Sequence, residues 1–406
     1  MPERHVPEVR ELASLVRLRA PAVRRRRARQ VAQAPTIWDL RTIAARRAPR
    51  VVFDYADGGA DEEIAMRRSR RAFRDVELRP SVLRDVSSVS TTTQVLGRES
   101  ALPFGIAPTG FTRLMHTDGE RAGAASAAAA GIPFTLSTMG TASIEEVAAV
   151  GDPDRARPWF QLYLWKDRAR SAELVARAAA AGVDTLVLTV DVPVGGRRLR
   201  DVRSGMSVPP ALTLGSAVDA ATHPSWWFDF VTTEPLSFAA LDRSTGRVKE
   251  LFRDMFDASV TLGDLTWVAE QWPGNLVVKG IQTVEDAVRV SQAGADAIVL
   301  SNHGGRQLDR ATTPLRILAD VRQALPADGP EIWLDSGITS GADVVVALAL
   351  GADFTLVGRS YLYGLMAGGG PGVDRVIAIL RSEIEQTMRL LGVTTVDELG
   401  PQHVHV

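Results

Sequence analysis

From residue 100 onward, short apolar runs alternate with longer Ala-rich or amphipathic stretches, the rhythm of parallel βα units. Eight runs read as buried strands: Phe104–Ala107, Phe134–Ser137, Trp159–Tyr163, Thr185–Val190, Leu276–Lys279, Ala297–Ser301, Ile332–Asp335 and Phe354–Val357. Between them Gly119–Ala130, Arg168–Ala181, Val284–Ala293, Pro314–Leu325 and Ala342–Leu350 read as helices, and a closing helix falls near Val373–Leu391. Eight strands with helical crossovers predict an α/β fold closed into a (β/α)₈ TIM barrel rather than an open sheet.

The rhythm breaks once. Between the fourth and fifth strands about 75 residues replace a connection that needs far fewer, which predicts an insertion over 203–264. It carries Ser225-Trp226-Trp227-Phe228-Asp229-Phe230-Val231, an aromatic cluster suited to packing on the barrel and equally to a membrane interface or a quinone. Upstream, Ile37–Arg47 reads as an amphipathic helix begun near Thr36, and Phe53–Ala60 as a turn-prone segment. Residues 36–100 are expected to cap the barrel. The predicted organisation is a basic, flexible arm over 1–35, one barrel domain over 36–400 with the long insertion, and a tail over 401–406.

Composition narrows the function. A chain of 406 residues suits one large barrel or two ordinary domains. With 47 basic against 48 acidic residues, no global field draws it to nucleic acid, so no nucleic-acid partner is expected. The absence of cysteine excludes disulfides, thiolate metal sites and a cysteine nucleophile, so any redox centre must be borrowed. No stretch approaches the roughly 18 to 20 apolar residues that span a bilayer. The arginine run Arg24–Arg27 is followed by no apolar signal region, which reads as a cytoplasmic protein with a solvated arm, able to touch anionic lipid heads from the inner face of the membrane. His5, His223, His403 and His405 lie in terminal or inserted segments, no metal-ligand spacing links them, and no metal is expected.

The chemistry is written at the carboxyl ends of the predicted strands, where barrels build their sites. The first runs into Pro108-Thr109-Gly110, the second ends at Ser137, the third carries Gln161 and Tyr163, and the fourth gives Thr189 and Asp191. The fifth ends at Lys279, the sixth runs into Ser301-Asn302-His303-Gly304-Gly305-Arg306, the seventh ends at Asp335, and the eighth runs into Gly358-Arg359. Each alone reads equally as a cap or turn; together they converge on one rim. Gly337, Gly358 and Arg359 fall where barrels hold a phosphate on backbone N–H groups and a helix N-terminus. No G-x-G-x-x-G follows the first strand, which argues against a nicotinamide cofactor.

Ser-Asn-His-Gly-Gly-Arg-Gln at 301–307, Gln-Leu-Tyr at 161–163, Leu-Thr-Val-Asp at 188–191, Ala-Pro-Thr-Gly at 107–110, Val-Lys-Gly at 278–280 and Phe-Asp-Tyr-Ala-Asp-Gly-Gly-Ala at 53–60 stand in order along the chain. Together they resemble the FMN-dependent α-hydroxy-acid dehydrogenase and oxidase family, most of all its bacterial, actinobacterial-type members that oxidise L-lactate for the respiratory chain. The resemblance spans about residues 36–400. It implies FMN as cofactor, oxidation of a small (S)-2-hydroxy acid such as L-lactate to pyruvate, a quinone or cytochrome as acceptor, and a homotetramer.

By the same resemblance His303 is the base, taking either the α-proton or the hydroxyl proton, and Asp191 pairs with it, a negative charge that stabilises the imidazolium. Arg306 and Arg198 match the guanidiniums at the substrate carboxylate, with Tyr55 donating a further hydrogen bond. Tyr163 matches the phenol at the substrate 2-oxygen, and Lys279 the cation beside the flavin edge where charge accumulates on reduction. Pro108, Thr109, Gly110, Ser137, Gln161, Thr189, Lys279 and Ser301 map to isoalloxazine and ribityl contacts; Asp335, Gly337, Gly358 and Arg359 map to the phosphate side. Met139 faces the substrate tail, where a flexible thioether suits lactate. His116 reads as structural. One departure stands out: the family's Asp-Gly-Gly-x-Arg is Asp335-Ser336-Gly337-Ile338-Thr339, so an expected arginine is missing at Thr339. The alternatives are an oxygen-using oxidase or monooxygenase, against which Gly110 weighs because oxidases often carry alanine there, a relative acting on an amine, and a non-catalytic flavin-binding barrel.

Overall fold

The computed structural model describes residues 25–153, 155–206, 222–233 and 255–406. Eight parallel strands close into a barrel: β1 (Phe104–Thr109), β2 (Phe134–Ser137), β3 (Pro158–Leu162), β4 (Thr185–Thr189), β5 (Asn275–Ile281), β6 (Ala297–Leu300), β7 (Glu331–Leu334) and β8 (Phe354–Val357). All eight predicted strands are found. Alternation explains how such short runs are buried on both faces: Leu186 and Leu188 of β4 point out to the helices, whereas Val187 points into the barrel beside Val277, Val299 and Leu356.

The barrel interior is filled by aromatic side chains. Trp159 and Trp333 stack with centroids 5.0 Å apart, and Phe354 meets both edge-on. Below them the antiparallel hairpin Thr93–Val95/Arg98–Ser100 seals the amino end, with Val95 fully buried against the same cluster. Arg157, at the foot of β3, donates to the Val95 carbonyl (3.2 Å) and lies over the Trp159 ring; burial pulls its guanidinium down to about 10. Among the described residues the floor is filled, and the open end is the carboxyl rim. Strand register sets Ser137 beside Gln161 and Thr189 beside Lys279 along that rim.

Helices Ile37–Arg47, Arg50–Asp57 and Ile64–Arg74 form the cap. The first starts at Thr36, as the sequence predicts, and the structure adds a capping box between Thr36 and Asp39. The turn-prone reading of Phe53–Ala60 is corrected: helix runs to Asp57 because Val52, Phe53, Ala56 and Asp57 share a buried face. Asp57 is buried and accepts from Arg41 (2.7 Å), Arg200 (2.8 Å) and the Tyr363 hydroxyl (2.7 Å). Burial acts to raise its carboxyl, but these donors outweigh it and hold it well below the usual carboxylate range. A depressed folded-state value stabilises above the ordinary carboxylate range and is lost as pH falls through and below it. Asp57→Asn is therefore expected to cost about 2–3 kcal/mol at neutral pH, the low end for a broken buried pair because both arginines are partly solvated. Denaturant melts at neutral and acid pH check this, and the difference between variant and parent should shrink below about pH 4.

The flexible arm expected over 1–35 is corrected in its described part. Residues 25–32 are helical, Val31 and Ala34 are buried, and Arg375 donates to the Ala34 carbonyl at 2.9 Å. Arg24 and the residues before it lie outside the described residues, as do 207–221 and 234–254 of the insertion. The described aromatic segment is helix Pro224–Thr232. Trp226 packs on the barrel, stacking on Phe230 (4.9 Å) and donating from Nε1 to the Leu114 carbonyl (3.2 Å), while Phe228 and Val231 are exposed. Insertion gives way to the crossover helix Leu262–Gln271, started by a Thr261–Asp264 capping box, so 262–264 belong to the barrel layer.

Candidate active site

Between the rim and the cap lies a cavity of about 570 Å³. Seven of the eight strand ends named from sequence contribute to its lining, the fourth standing behind it. Most of these residues line it; Gln161, Thr189, Asp191 and Ser301 stand directly behind the lining, and His116 lies elsewhere.

His303 sits in the turn after β6, where His303, Gly304 and Gly305 are consecutively left-handed (φ 57°, 65° and 72°). For histidine this backbone is strained, and the surroundings hold it. The Ser301 hydroxyl accepts from His303 N (3.0 Å), and Asn302 Oδ1 accepts from Gly305 N (3.0 Å). The Ser336 hydroxyl accepts from Asn302 N (3.3 Å) and Gly304 N (2.9 Å) while donating to Asp335 (2.7 Å). Any side chain at Gly305 would strike the Met66 backbone, 2.6 Å from the position of a Cβ, so glycine is what lets the cap close on this turn.

The His303 Nδ1–Asp191 Oδ1 distance is 3.0 Å, with Asp191 buried and its second oxygen without a partner. Burial acts to raise the Asp191 carboxyl, but His303 and, further off, Lys279 outweigh it and leave it below its ordinary value. The pair fixes the ring so that Nδ1 faces the carboxylate and Nε2 is left toward the cavity. Gln307 braces the loop beneath, donating to the Asp191 and Val194 carbonyls and accepting from Gly196 N. Lys279 donates to Ser301 (3.0 Å) and pairs with Asp335 (3.1 Å), linking the ends of β5, β6 and β7.

Arg306 and Arg198 flank the Tyr55 ring at 5.0 and 5.4 Å. Arg198 is paired with Asp201 (2.7 Å), but Arg306 donates only to the Tyr55 and Gly58 carbonyls and, among the described residues, has no carboxylate within ion-pair reach. Burial and the neighbouring Arg198 both pull its guanidinium below the usual range. Two guanidiniums and one carboxylate leave a net positive wall, a receptor for a planar anion. Burial and the Asp191 charge push the Tyr163 phenol above its ordinary value, so it stays protonated as a hydrogen-bond donor.

At the far end Gly337 (φ 111°) comes so close to the Ser69 carbonyl that a Cβ would lie 2.7 Å from it, and Gly358 leaves the N-terminus of helix Arg359–Gly368 without a side-chain cap. Arg359 donates to the Gly304, Gly58 and Ala56 carbonyls; burial, with Arg306 and Arg70 nearby, pulls it down to about 10.

A bound flavin mononucleotide fits this lining. Gln161 Nε2 and Thr189 Oγ1 are buried at the ends of β3 and β4 with no partner, the kind of orphaned groups that the heteroatom edge of a flat cofactor satisfies. Lys279 places a cation on the same edge, and the glycine loops with Arg359 offer a phosphate site at the other end.

Sequence reading missed Ser336, Asn302 and Asp201. Asp201 sits three residues after Arg198, a spacing that could have been read; Ser336 and Asn302 act only through contacts across the chain. Ser336 is itself left-handed (φ 73°), a conformation glycine adopts at no cost. Ser336→Gly should therefore leave the melting temperature nearly unchanged but loosen the His303 turn, lowering kcat by about tenfold for a neutral hydrogen bond lost; steady-state kinetics beside a thermal melt check it.

The geometry defines a barrel enzyme that acts on an anionic substrate with a borrowed, phosphorylated cofactor. The family model for FMN-dependent dehydrogenase matches residues 44–406, and the chain belongs to that family, with FMN as its cofactor. A Mycobacterium tuberculosis (strain H37Rv) protein provisionally named L-lactate dehydrogenase is 58% identical over 401 residues, 99% of this chain and 96% of the relative. The L-lactate dehydrogenase of Caulobacter sp. (strain K31) is 42% identical over 368 residues, 89% of this chain and 96% of the relative. Among solved structures, the monotopic membrane protein (S)-mandelate dehydrogenase superposes with a TM-score of 0.88 at 37% identity, covering 92% of this chain and 99% of the other.

Proposed function

We propose that the protein oxidises L-lactate to pyruvate, with His303 as the base. The observation that carries this is His303, backed by Asp191, lining a cavity whose wall also holds Arg306 and Arg198, two guanidiniums with one carboxylate between them. The two guanidiniums take the carboxylate, Tyr163 donates to the 2-oxygen, and His303 Nε2 accepts a proton from the substrate, either from the hydroxyl or from C2. Asp191 holds the resulting imidazolium. When bound, FMN supplies the two-electron acceptor, and Lys279 sits where negative charge would collect. Met139, Tyr163 and Phe256 leave an apolar wall for a short substrate tail. Lactate is favoured over mandelate by the names of the relatives at 58% and 42% identity.

Anaerobic addition of L-lactate should bleach the flavin, with kcat/KM at least about tenfold above that for (S)-mandelate, the discrimination a small apolar pocket gives. FMN-loaded protein that lactate leaves oxidised would overturn the assignment.

A quinone or cytochrome acceptor at a membrane surface is supported by exposed Phe228 and Val231 on the aromatic helix, next to the exposed Arg25–Arg27 segment, where Arg27 bonds Ser225 at 3.0 Å. A basic and apolar patch of this kind suits peripheral contact with anionic lipid. Among the described residues no helix is long and apolar enough to cross a membrane. Stopped-flow reoxidation separates the acceptors: rapid reaction of reduced flavin with oxygen would favour an oxidase. The homotetramer rests on the family resemblance, and light scattering measures it.

A further inference from the structure

The phosphate end of the cavity is short of positive charge from the barrel itself. Thr339 is neutral, and both its N–H (2.7 Å) and its hydroxyl (3.2 Å) are engaged with Asp343 at the start of the next helix. Arg359 is one cation, and the uncapped N-terminus of Arg359–Gly368 adds about half a charge. A phosphate monoester near neutral pH carries about −1.5 to −2.

A second guanidinium is at hand from the cap. Arg70, on helix Ile64–Arg74, lines the cavity together with Ser336–Thr339, Gly358 and Arg359. Its neighbour Ser69 places a carbonyl against Gly337, so this turn of the helix abuts the glycine loop. Arg70 lies over the Trp38 ring at 5.1 Å and donates to the Tyr363 hydroxyl at 3.3 Å, contacts that aim it along the start of helix Arg359–Gly368. Among the described residues no carboxylate lies within ion-pair reach of it, although the same cap helix engages carboxylates elsewhere, through Arg71 and Asp75 and through the Ala65 N–H and Asp309. Arg70 is near enough to Arg359 to repel it, and the carboxylate nearest to hand, Asp57, is reached from Arg70 only through the Tyr363 hydroxyl and is already shared by Arg41 and Arg200. The chemistry that relieves this is a dianion.

We propose that Arg70 is a ligand of the cofactor phosphate, supplied by the cap in place of the charge Thr339 does not carry. This rests on the reading that the phosphate lies at the loops after β7 and β8. Cofactor affinity is then coupled to cap closure, because the same helix packs on the His303 turn.

The test is the binding of FMN and of riboflavin, which lacks the phosphate, to flavin-stripped full-length protein, followed by flavin fluorescence quenching. Arg70→Gln and Arg70→Met should each weaken FMN by about 10- to 100-fold, the range for a charged hydrogen-bonding partner lost. Riboflavin affinity should change less than about twofold, and Arg70→Lys should recover part of the loss. Equal weakening of both ligands, or FMN affinity unchanged in both variants, would overturn the role of Arg70. If the parent protein itself binds FMN no better than riboflavin, the placement of the phosphate falls with it. A variant that does not fold would lose riboflavin binding, and the remaining variants then decide.

Discussion

Replacing His303 with alanine should lower kcat for lactate oxidation by about 10²- to 10⁴-fold, the range for removing a positioned acid–base group, while leaving FMN bound. Its ring lines the cavity, held by Asp191 at 3.0 Å, and among the described residues it is the only imidazole there. Lys279 is committed to Asp335 and Ser301. The left-handed backbone at 303 introduces a second variable, since alanine adopts it less readily than asparagine. His303→Asn therefore serves as the control: it tolerates the backbone, still donates its backbone N–H to the Ser301 hydroxyl, and lacks the base. Both variants should show flavin reduction by lactate slowed to the same degree in anaerobic stopped flow. Unchanged bleaching would assign the proton transfer elsewhere.

Arg306→Met should lower kcat/KM by about 10²- to 10⁴-fold, the cost of losing a charge-assisted, fork-shaped partner for the substrate carboxylate in a partly buried site. The effect should exceed that of Arg198→Met, because Arg198 already has Asp201 at 2.7 Å and so brings less free charge to the substrate. Arg306→Lys should restore little, since one ammonium cannot reproduce a planar fork and cannot reach the Tyr55 and Gly58 carbonyls in the same pose. A substrate analogue with an amide in place of the carboxylate provides the check. If the parent and Arg306→Met turn it over equally, the lost energy belonged to the carboxylate; a further loss with the amide would mean that the variant had displaced the cap.

Barrel strands were legible because each is a short apolar run ended by a polar residue, a pattern that buried parallel strands impose on sequence. Rim residues were legible for the same reason, as the barrel leaves nowhere else for a polar strand end to go. What escaped was long-range. Ser336 reads as a variation in a glycine loop until its hydroxyl is seen to tie Asn302 and Gly304 to Asp335. Arg70 reads as one more charge in Met66-Arg67-Arg68-Ser69-Arg70-Arg71, whereas only the tertiary fold separates it from exposed Arg67 and Arg68. The helix ending at Asp57 was hidden by the two glycines after it, and it extends that far because Arg41, Arg200 and Tyr363 converge on its last side chain. The docking of Val31 is equally invisible in an arginine-rich segment.

The stacked Trp159 and Trp333 floor has a kinetic meaning. Among the described residues the barrel is filled at its foot, so an acceptor that approaches the cofactor from the carboxyl rim shares that approach with pyruvate on the way out and with lactate on the way in. Two half-reactions that use one doorway take turns: parallel double-reciprocal plots, and inhibition by excess lactate that more acceptor relieves, would be the signature of that shared entrance.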